Sequence, residues 1–240
     1  TMEECFEMYR KGRASGRVFF VGQQRLFDPK YIRIMDSVRK GELGPVVNVR
    51  NYWYRNNDWR RKVPSPELER HINWRLYREY SRGLMTELAC HQLQNGTWAM
   101  GMLPTQVMGT GNIVYWKDGR EVFDSVSTIY TFPNGVNMTF ESVIANKHFG
   151  MGEQILCKEG TVDLANGRLY METPRRKSGI RQLVGEIEQG VFSNSVFAGT
   201  SWSAEGASAD PGIAIMPEAV EGDGSLEMLR AFCHLSLIHI

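Results

Sequence analysis

A carboxylate and an imidazole four residues apart are the side chains of this chain best placed to act together. Glu87 and His91 lie in the stretch 82–98, with apolar residues around them. A helix over this stretch would put both side chains on one face, about one turn apart. Histidine has the ordinary pKa that suits proton exchange near neutral pH. The pair indicates either general acid–base chemistry or a surface pair worth only roughly a few tenths of a kcal/mol.

The four cysteines indicate no metal site and no disulfide framework. They are far apart, form no C-x-x-C pair and have apolar neighbours, so we expect buried free thiols at Cys5, Cys90, Cys157 and Cys233. Cys90 is adjacent to His91, but neighbouring side chains on a helix point about 100° apart. A cysteine nucleophile activated by this histidine is therefore not expected.

Composition excludes two classes of partner. The chain has 240 residues, 42% of them hydrophobic, which is enough for a substantial core. A formal net charge of +1 does not favour nucleic-acid binding. No apolar run approaches the roughly 20 residues of a membrane-spanning helix, so no membrane partner is expected. The chain opens at Thr1 inside a predicted helix, which leaves its compartment unknown, with the cytoplasm as the default and the periplasm as the alternative.

The first elements resemble the end of a βαβ domain. Thr1 and Glu4 have the form of a capping box for a helix that stops at Gly16. Residues 17–21 are a short apolar run that predicts a strand buried in a parallel sheet. The polar cluster that follows, which includes Gln24 and Arg25, would then lie at the edge where open α/β sheets bind ligands.

A second helix and a mainly antiparallel sheet are predicted next. Asp28 and Pro29 predict the start of a helix that ends near Gly41. A long strand follows residue 45, and a polar loop then carries six arginines between Arg60 and Arg82, one or two of which could contact a cofactor phosphate. After the helix that carries His91, alternating runs are separated by turn signals at Asp118-Gly119, Asn134-Gly135, Glu159-Gly160 and Asn166-Gly167.

We therefore predict an α+β fold with an open, mainly antiparallel sheet of at least six strands and helices on one face. Residues 1–24 are predicted to be the last helix and strand of a Rossmann-type dinucleotide-binding domain, and residues 25–234 a substrate and oligomerisation domain. Residues 173–224 read as loops, with one apolar stretch at 183–187, and a final helix starts at Ser225.

The last six residues, 235–240, have the form of an adapter-derived scar. His148 lies in the sheet without carboxylate neighbours and is read as structural.

Three stretches of the chain, residues 22–31, Trp74-Arg75 and Arg82 to Gln94, follow one another in an order that resembles the Gfo/Idh/MocA family of nicotinamide-dependent sugar and cyclitol oxidoreductases. The first stretch matches the family pattern G-x-Q/N-R-R-F-x-P-x-Y. The second and third match the W-R and G-G-x-L-x-D-x-G-x-H-x-x-D patterns. An antiparallel sheet follows, as it does in the family.

The resemblance implies roles for individual residues. His91 matches the catalytic histidine that exchanges the proton of the substrate hydroxyl. Glu87 stands where the family has an aspartate, one methylene shorter, and Gln94 replaces a second aspartate, so Gln94 can bind a hydroxyl but cannot exchange a proton. Gln24 is implied as a substrate contact, and the implied cofactor contacts are Arg25, Trp74 and Arg75.

The resemblance also implies NAD or NADP as cofactor and a sugar, glycoside or cyclitol as substrate. The Gly-rich phosphate loop and the family's catalytic lysine do not occur in these 240 residues, so the chain alone is expected to be inactive. Two alternatives remain open: a redox-assisted glycosidase with no net redox change, and a sugar-binding or scaffolding relative that has lost catalysis. Relatives pair through the open sheet face, so a homo-oligomer is expected, with candidate contacts at Tyr115, Tyr130, Phe132, Met138 and Phe140.

Overall fold

A computed structural model describes residues 1–172, 211–216 and 222–238. The predicted apolar stretch 183–187 lies outside these residues. Helix α1 spans Met2–Ala14, and its capping box between Thr1 and Glu4 is present as predicted.

The strand predicted at residues 17–21 is wrong. These residues are irregular, and the side chains of Phe19 and Val21 are 54% and 69% exposed. A strand needs a neighbour to satisfy its backbone N–H and C=O groups, and no strand of the described residues pairs with this segment.

Helix α2 spans Pro29–Lys40 and forms as predicted. The Asp28 side chain accepts a hydrogen bond from the backbone N–H of Lys30 at 2.8 Å, and Gly41 ends the helix in the left-handed conformation. A 3₁₀ turn, Gln24–Phe27, precedes the helix. The apolar stripe of α2 is buried against the sheet through Tyr31, Ile34, Met35 and Val38.

One sheet of eight strands organises the domain, in the spatial order β2-β3-β4-β1-β5-β6-β7-β8. The strands are β1 Val46–Tyr54, β2 Gln106–Asn112, β3 Ser125–Thr131, β4 Asn137–Val143, β5 Met151–Cys157, β6 Gly160–Asp163, β7 Arg168–Met171 and β8 Ile213–Ala214. Strand β1 runs parallel to β4, and every other neighbouring pair is antiparallel. The predicted α+β class and open sheet are confirmed.

The predicted turns differ in length in the structure. Asn134-Gly135 closes the β3–β4 hairpin and Asn166-Gly167 closes β6–β7, with both glycines at positive φ. The strands on either side of Asp118-Gly119, β2 and β3, pair as the predicted antiparallel hairpin, but residues 113–124 form a longer loop between them than a two-residue turn. Asp124 stabilises that loop by accepting hydrogen bonds from the backbone N–H groups of residues 114, 115 and 116.

The arginine-rich connection after β1 is folded and ion-paired. It contains two 3₁₀ turns, Pro66–Leu68 and Trp74–Leu76, and the short helix α3, Glu69–Ile72. Arg60 pairs with both Glu69 and Asp118, so this arginine stabilises the connection itself.

Helix α4, Cys90–Met100, crosses the helix-covered face of the sheet. Gly96 allows this close approach, because a Cβ there would overlap the sulfur of Met138 on β4. Helix α5, Ser225–Ile238, packs on the turn before α2, where the rings of Phe232 and Phe20 have centroids 5.6 Å apart. It continues into the segment read as an adapter scar.

The opposite face of the sheet is open. Phe132, Met138 and Phe140 are buried in the core, so their proposed place on an outward surface is wrong. The alternation of β3 and β4 turns these residues toward the helices. The open face instead carries Met108 and Ile129, which line a groove of about 450 Å³.

Candidate active site

A π-helical turn, Met85–Ala89, leads directly into α4 and carries Glu87. The predicted continuous α-helix over residues 82–98 is therefore wrong in its first part. A π turn widens the helix locally, and such turns often occur at functional sites. Glu87 and His91 accordingly lie on either side of the junction between the π turn and α4.

His91 is half-buried in the first turn of α4 against the indole of Trp53. The two ring centroids are 6.0 Å apart. The Nδ1 atom is shielded from solvent and has no hydrogen-bond partner among the described residues. Burial, followed by the charge of Arg25, lowers the pKa of His91, and Glu87 opposes this effect. The imidazole is thus neutral near pH 7, the form that can accept a proton.

Glu87 is held in place by two donors at 3.0 Å and by a third, the hydroxyl of Thr86, at 3.5 Å. Arg75 Nε donates to one carboxylate oxygen at 3.0 Å, and the hydroxyl of Ser81 donates to the other at 3.0 Å. Its side chain remains 17% exposed, so the carboxylate is oriented and accessible. No hydrogen bond joins Glu87 to His91, and the two groups interact electrostatically.

Arg25 lies behind the site in a buried ion pair with Glu153. The guanidinium is also 5.5 Å from the centroid of the Trp53 ring. Tyr31 and Asn95 donate to the same Glu153 carboxylate. Burial raises the pKa of Glu153, while Arg25, Tyr31 and Asn95 oppose that rise. The guanidinium of Arg25 is thus engaged by the protein, and its predicted cofactor contact remains a prediction.

The three glutamines near the site differ in their contacts. Gln94, one turn after His91 on α4, has a buried Oε1 with no hydrogen-bond partner among the described residues, and it lines a pocket of about 330 Å³ with Leu26 and Trp98. Gln24 is half-buried in the 3₁₀ turn before α2. Its neighbour Gln23 interacts with the thiol of Cys90 and partly opposes the rise in the pKa of that thiol.

Trp74 and Arg75 lie together at the rim. Trp74 is partly exposed, and the guanidinium of Arg75 is 4.9 Å from its ring centroid. Through Arg75 this pair is linked to Glu87, so the structure joins one predicted cofactor contact to a predicted catalytic residue. The cofactor role of both remains a prediction.

Cysteine reactivity is not supported at the site. Burial raises the pKa of Cys90, which keeps its thiol protonated and unreactive. All four cysteines are free, but Cys5 and Cys233 are exposed, so their predicted burial is wrong. Within the described ranges no group of three or more His, Cys, Asp or Glu residues could hold a metal ion. In the same ranges no helix combines the length and apolarity needed to cross a membrane.

Sequence reasoning missed Trp53 and Arg55. Val49 and Asn51 on β1 are buried on the helix-covered face, and the period of two places Trp53 on that face as well. The guanidinium of Arg55, just beyond the strand, is 4.6 Å from the Trp53 ring centroid. The alternation of β1 could have revealed both residues once the direction of one side chain was known.

One family model matches more than half of the chain. Residues 31–163 match the model of the GFO/IDH/MocA C-terminal domain. No curated protein matches the chain.

Solved structures share the fold at low identity. Levoglucosan dehydrogenase in complex with NADH and levoglucosan has a TM-score of 0.62 and 16% identity, over 99% of this chain and 61% of that one. The WlbA dehydrogenase from Bordetella pertussis, in complex with NADH and UDP-GlcNAcA, has a TM-score of 0.59 and 16% identity, over 79% and 54%. An NAD binding oxidoreductase from Klebsiella pneumoniae has a TM-score of 0.56 and 18% identity, over 70% and 46%. The chain thus spans roughly half the length of these proteins.

Proposed function

Because the chain belongs to the GFO/IDH/MocA family, we propose that it forms the substrate side of a nicotinamide-dependent oxidoreductase. The reaction moves hydride at a hydroxyl-bearing carbon of a sugar, glycoside or cyclitol. Two of the similar structures hold NADH, one with levoglucosan and one with UDP-GlcNAcA, which supports this class of substrate.

The observation that carries the proposal is the environment of His91. Its imidazole is half-buried against Trp53, has a lowered pKa and lies at the junction with Glu87. A neutral imidazole accepts the proton of a substrate hydroxyl during oxidation and returns it during reduction. Arg75 and Ser81 orient Glu87. Its negative charge stabilises the imidazolium that forms when His91 has accepted the proton.

Gln94 and Gln24 are the proposed substrate contacts. The Oε1 of Gln94 is buried at the wall of a pocket with no partner within the described ranges, which suits an acceptor for a sugar hydroxyl. An amide cannot exchange a proton, so the role of Gln94 is binding and orientation.

The two residues at the rim, Trp74 and Arg75, can contact only a part of a nicotinamide dinucleotide. Trp74 offers a partly exposed ring and Arg75 a partly exposed guanidinium, and we propose them as cofactor contacts, with Arg25 behind them. The remaining contacts to NAD or NADP belong to a Rossmann-type domain of which residues 1–24 are the last part. When bound, the cofactor supplies the hydride acceptor or donor. Residues 1–240 alone are accordingly inactive.

The enzyme also forms a homo-oligomer through the open sheet face. Met108 and Ile129 are cross-strand neighbours on that face and are both exposed. An exposed apolar groove on one face of a sheet is typical of a surface that another subunit covers.

The test is turnover by the full-length enzyme. Formation of reduced nicotinamide is measured by absorbance with NAD and with NADP, over a panel of sugars, glycosides and cyclitols. The proposal expects net reduction of cofactor that depends on His91. Absence of any substrate-dependent reduction over the whole panel would contradict it.

A further inference from the structure

Arg55 extends the side of β1 that faces the candidate active site. Its guanidinium is 4.6 Å from the centroid of the Trp53 ring, and the centroid of that ring is 6.0 Å from the centroid of the His91 ring. The guanidinium and the imidazole proposed to exchange the proton thus both lie against one aromatic side chain, that of Trp53.

The guanidinium of Arg55 has no ion pair and no side-chain hydrogen bond to any residue in the described ranges. Nearby arginines behave differently: Arg25 pairs with Glu153, and Arg60 with Glu69 and Asp118. Arg55 is nevertheless half-buried. A guanidinium that loses part of its water shell without gaining a carboxylate is an unfavourable arrangement in the free protein.

Arg75 adds a second cation to the same place. It uses only Nε to bind Glu87, and its two terminal nitrogens make no hydrogen bond within the described part of the chain. Burial and the charge of Arg75 lower the pKa of Arg55, which agrees with the two guanidinium groups being close. Glu87 balances one of the two positive charges and leaves the other uncompensated.

We propose that Arg55 and the terminal nitrogens of Arg75 bind an anionic oxygen group of the substrate, which makes the substrate a sugar acid or a sugar phosphate. This inference rests on the proposed function and adds the substrate class. Guanidinium groups bind carboxylate and phosphate through paired N–H donors, and the two sources share that chemistry. This assignment gives the terminal nitrogens of Arg75 to the substrate and leaves Trp74 as the cofactor contact at the rim, and the cofactor affinity of the variants tests it.

The experiment compares matched ligands on the full-length enzyme and on two variants. Equilibrium dissociation constants are measured for D-glucose, D-glucuronate and D-glucose 6-phosphate, and turnover is measured on the same three compounds. The test variant is Arg55→Met. The control is Arg50→Met, which removes an arginine from the same strand that also stacks on an aromatic ring, Tyr52 at 5.4 Å, but on the open face.

The inference expects the wild type to bind one of the two anions at least about tenfold more tightly than glucose. Arg55→Met should abolish that preference and Arg50→Met should keep it, while the affinity for NAD or NADP stays unchanged in both. Preference for glucuronate identifies a carboxylate, and preference for the 6-phosphate identifies a phosphate.

Three results would overturn the inference: equal affinity for the charged and neutral sugars, an anion preference that survives Arg55→Met, or a loss of cofactor affinity in place of anion affinity. Different results would reject the proposed function. Anion binding that depends on Arg55 without cofactor reduction would reject the oxidoreductase and keep the anion site. His91-dependent oxidation of glucose without any anion preference would keep the oxidoreductase and reject the anion site.

Discussion

The imidazole of His91 lies against the indole of Trp53, with ring centroids 6.0 Å apart and with Nδ1 shielded and unpartnered among the described residues. Trp53 also contacts the guanidinium groups of Arg25 and Arg55. Trp53, the last core-facing residue of β1, thus brings the proposed proton acceptor together with two cations. This relationship connects the packing of the sheet to the chemistry of the site.

Charge around His91 should control its titration. The pKa of His91 lies below the ordinary value of about 6.5 because burial and Arg25 outweigh Glu87. Glu87→Gln removes the only one of these influences that raises the pKa, so the pKa should fall further. NMR titration of the imidazole Cε1–H signal measures it. Glu141→Gln, on the open face, is the control and should change nothing; a rise in the Glu87→Gln variant would contradict the assignment.

The same shift makes stability depend on pH in a defined direction. The folded state binds the His91 proton less tightly than the unfolded state, so its contribution to stability is fully present above the unfolded pKa. That contribution is lost as the pH falls through the folded pKa. His91→Gln should therefore flatten the decrease in the free energy of unfolding below about pH 6.5. Urea denaturation at several pH values measures it, and an unchanged slope would contradict the account.

The buried pair of Arg25 and Glu153 should behave as a unit. Their side chains are 10% and 1% exposed, so removal of one leaves a buried charge unpaired. Arg25→Met or Glu153→Met alone should cost about 3 kcal/mol of unfolding free energy, and the double variant much less than the sum. Urea denaturation provides the cycle, with Glu42→Met, at an exposed position after α2, as the control. Additive losses would show that the two residues are not coupled.

Gly96 should be required for the contact between α4 and β4. An added Cβ would overlap the sulfur of Met138, and overpacking of this kind costs about 1–3 kcal/mol, more than the roughly 1 kcal/mol that alanine gains in a helix. Gly96→Ala should therefore destabilise the domain. In a Met138→Ala background the same change should become neutral or stabilising. Destabilisation that persists in that background would place the clash elsewhere.

The open face should carry the subunit contact. Met108→Glu and Ile129→Glu each place a charge on the groove of that face and should shift the full-length enzyme toward monomers in sedimentation. Leu226→Glu, at an exposed apolar position on α5, is the control and should leave the assembly intact. A monomeric wild type, or variants that assemble normally, would contradict the proposed contact.

The sequence predicted what local patterns determine. The Asp28 cap, the stripe of α2, the Asn134-Gly135 turn and the open antiparallel sheet all follow from residues close together in the chain. The failures involve distant partners. Residues 17–21 have the composition of a strand, but no strand of the described residues pairs with them. The connection that contains Asp118-Gly119 is longer than a tight turn, and hydrogen bonds to Asp124 stabilise it.

The site shows the same division. The pairing of Glu87 with His91 could be proposed from spacing and family resemblance, but the π turn between them could not, because it depends on how the segment packs on the sheet. The ion pair of Arg25 with Glu153 joins residues 128 positions apart. The alternation on β1 places Trp53 on the same face as Val49 and Asn51, but it does not show whether α4 covers that face or the other one.

The central claim is that His91 exchanges the substrate proton, and turnover of the His91→Ala full-length enzyme tests it most directly. The control is His148→Ala. This histidine is exposed in the loop between β4 and β5, not in the sheet as predicted, and its ring makes an edge contact with Phe149 outside the site. We predict that kcat falls roughly 10²-fold or more in His91→Ala, with the same thermal transition and cofactor affinity as the wild type, and that His148→Ala is unaffected. Turnover of His91→Ala at the wild-type rate would contradict the account.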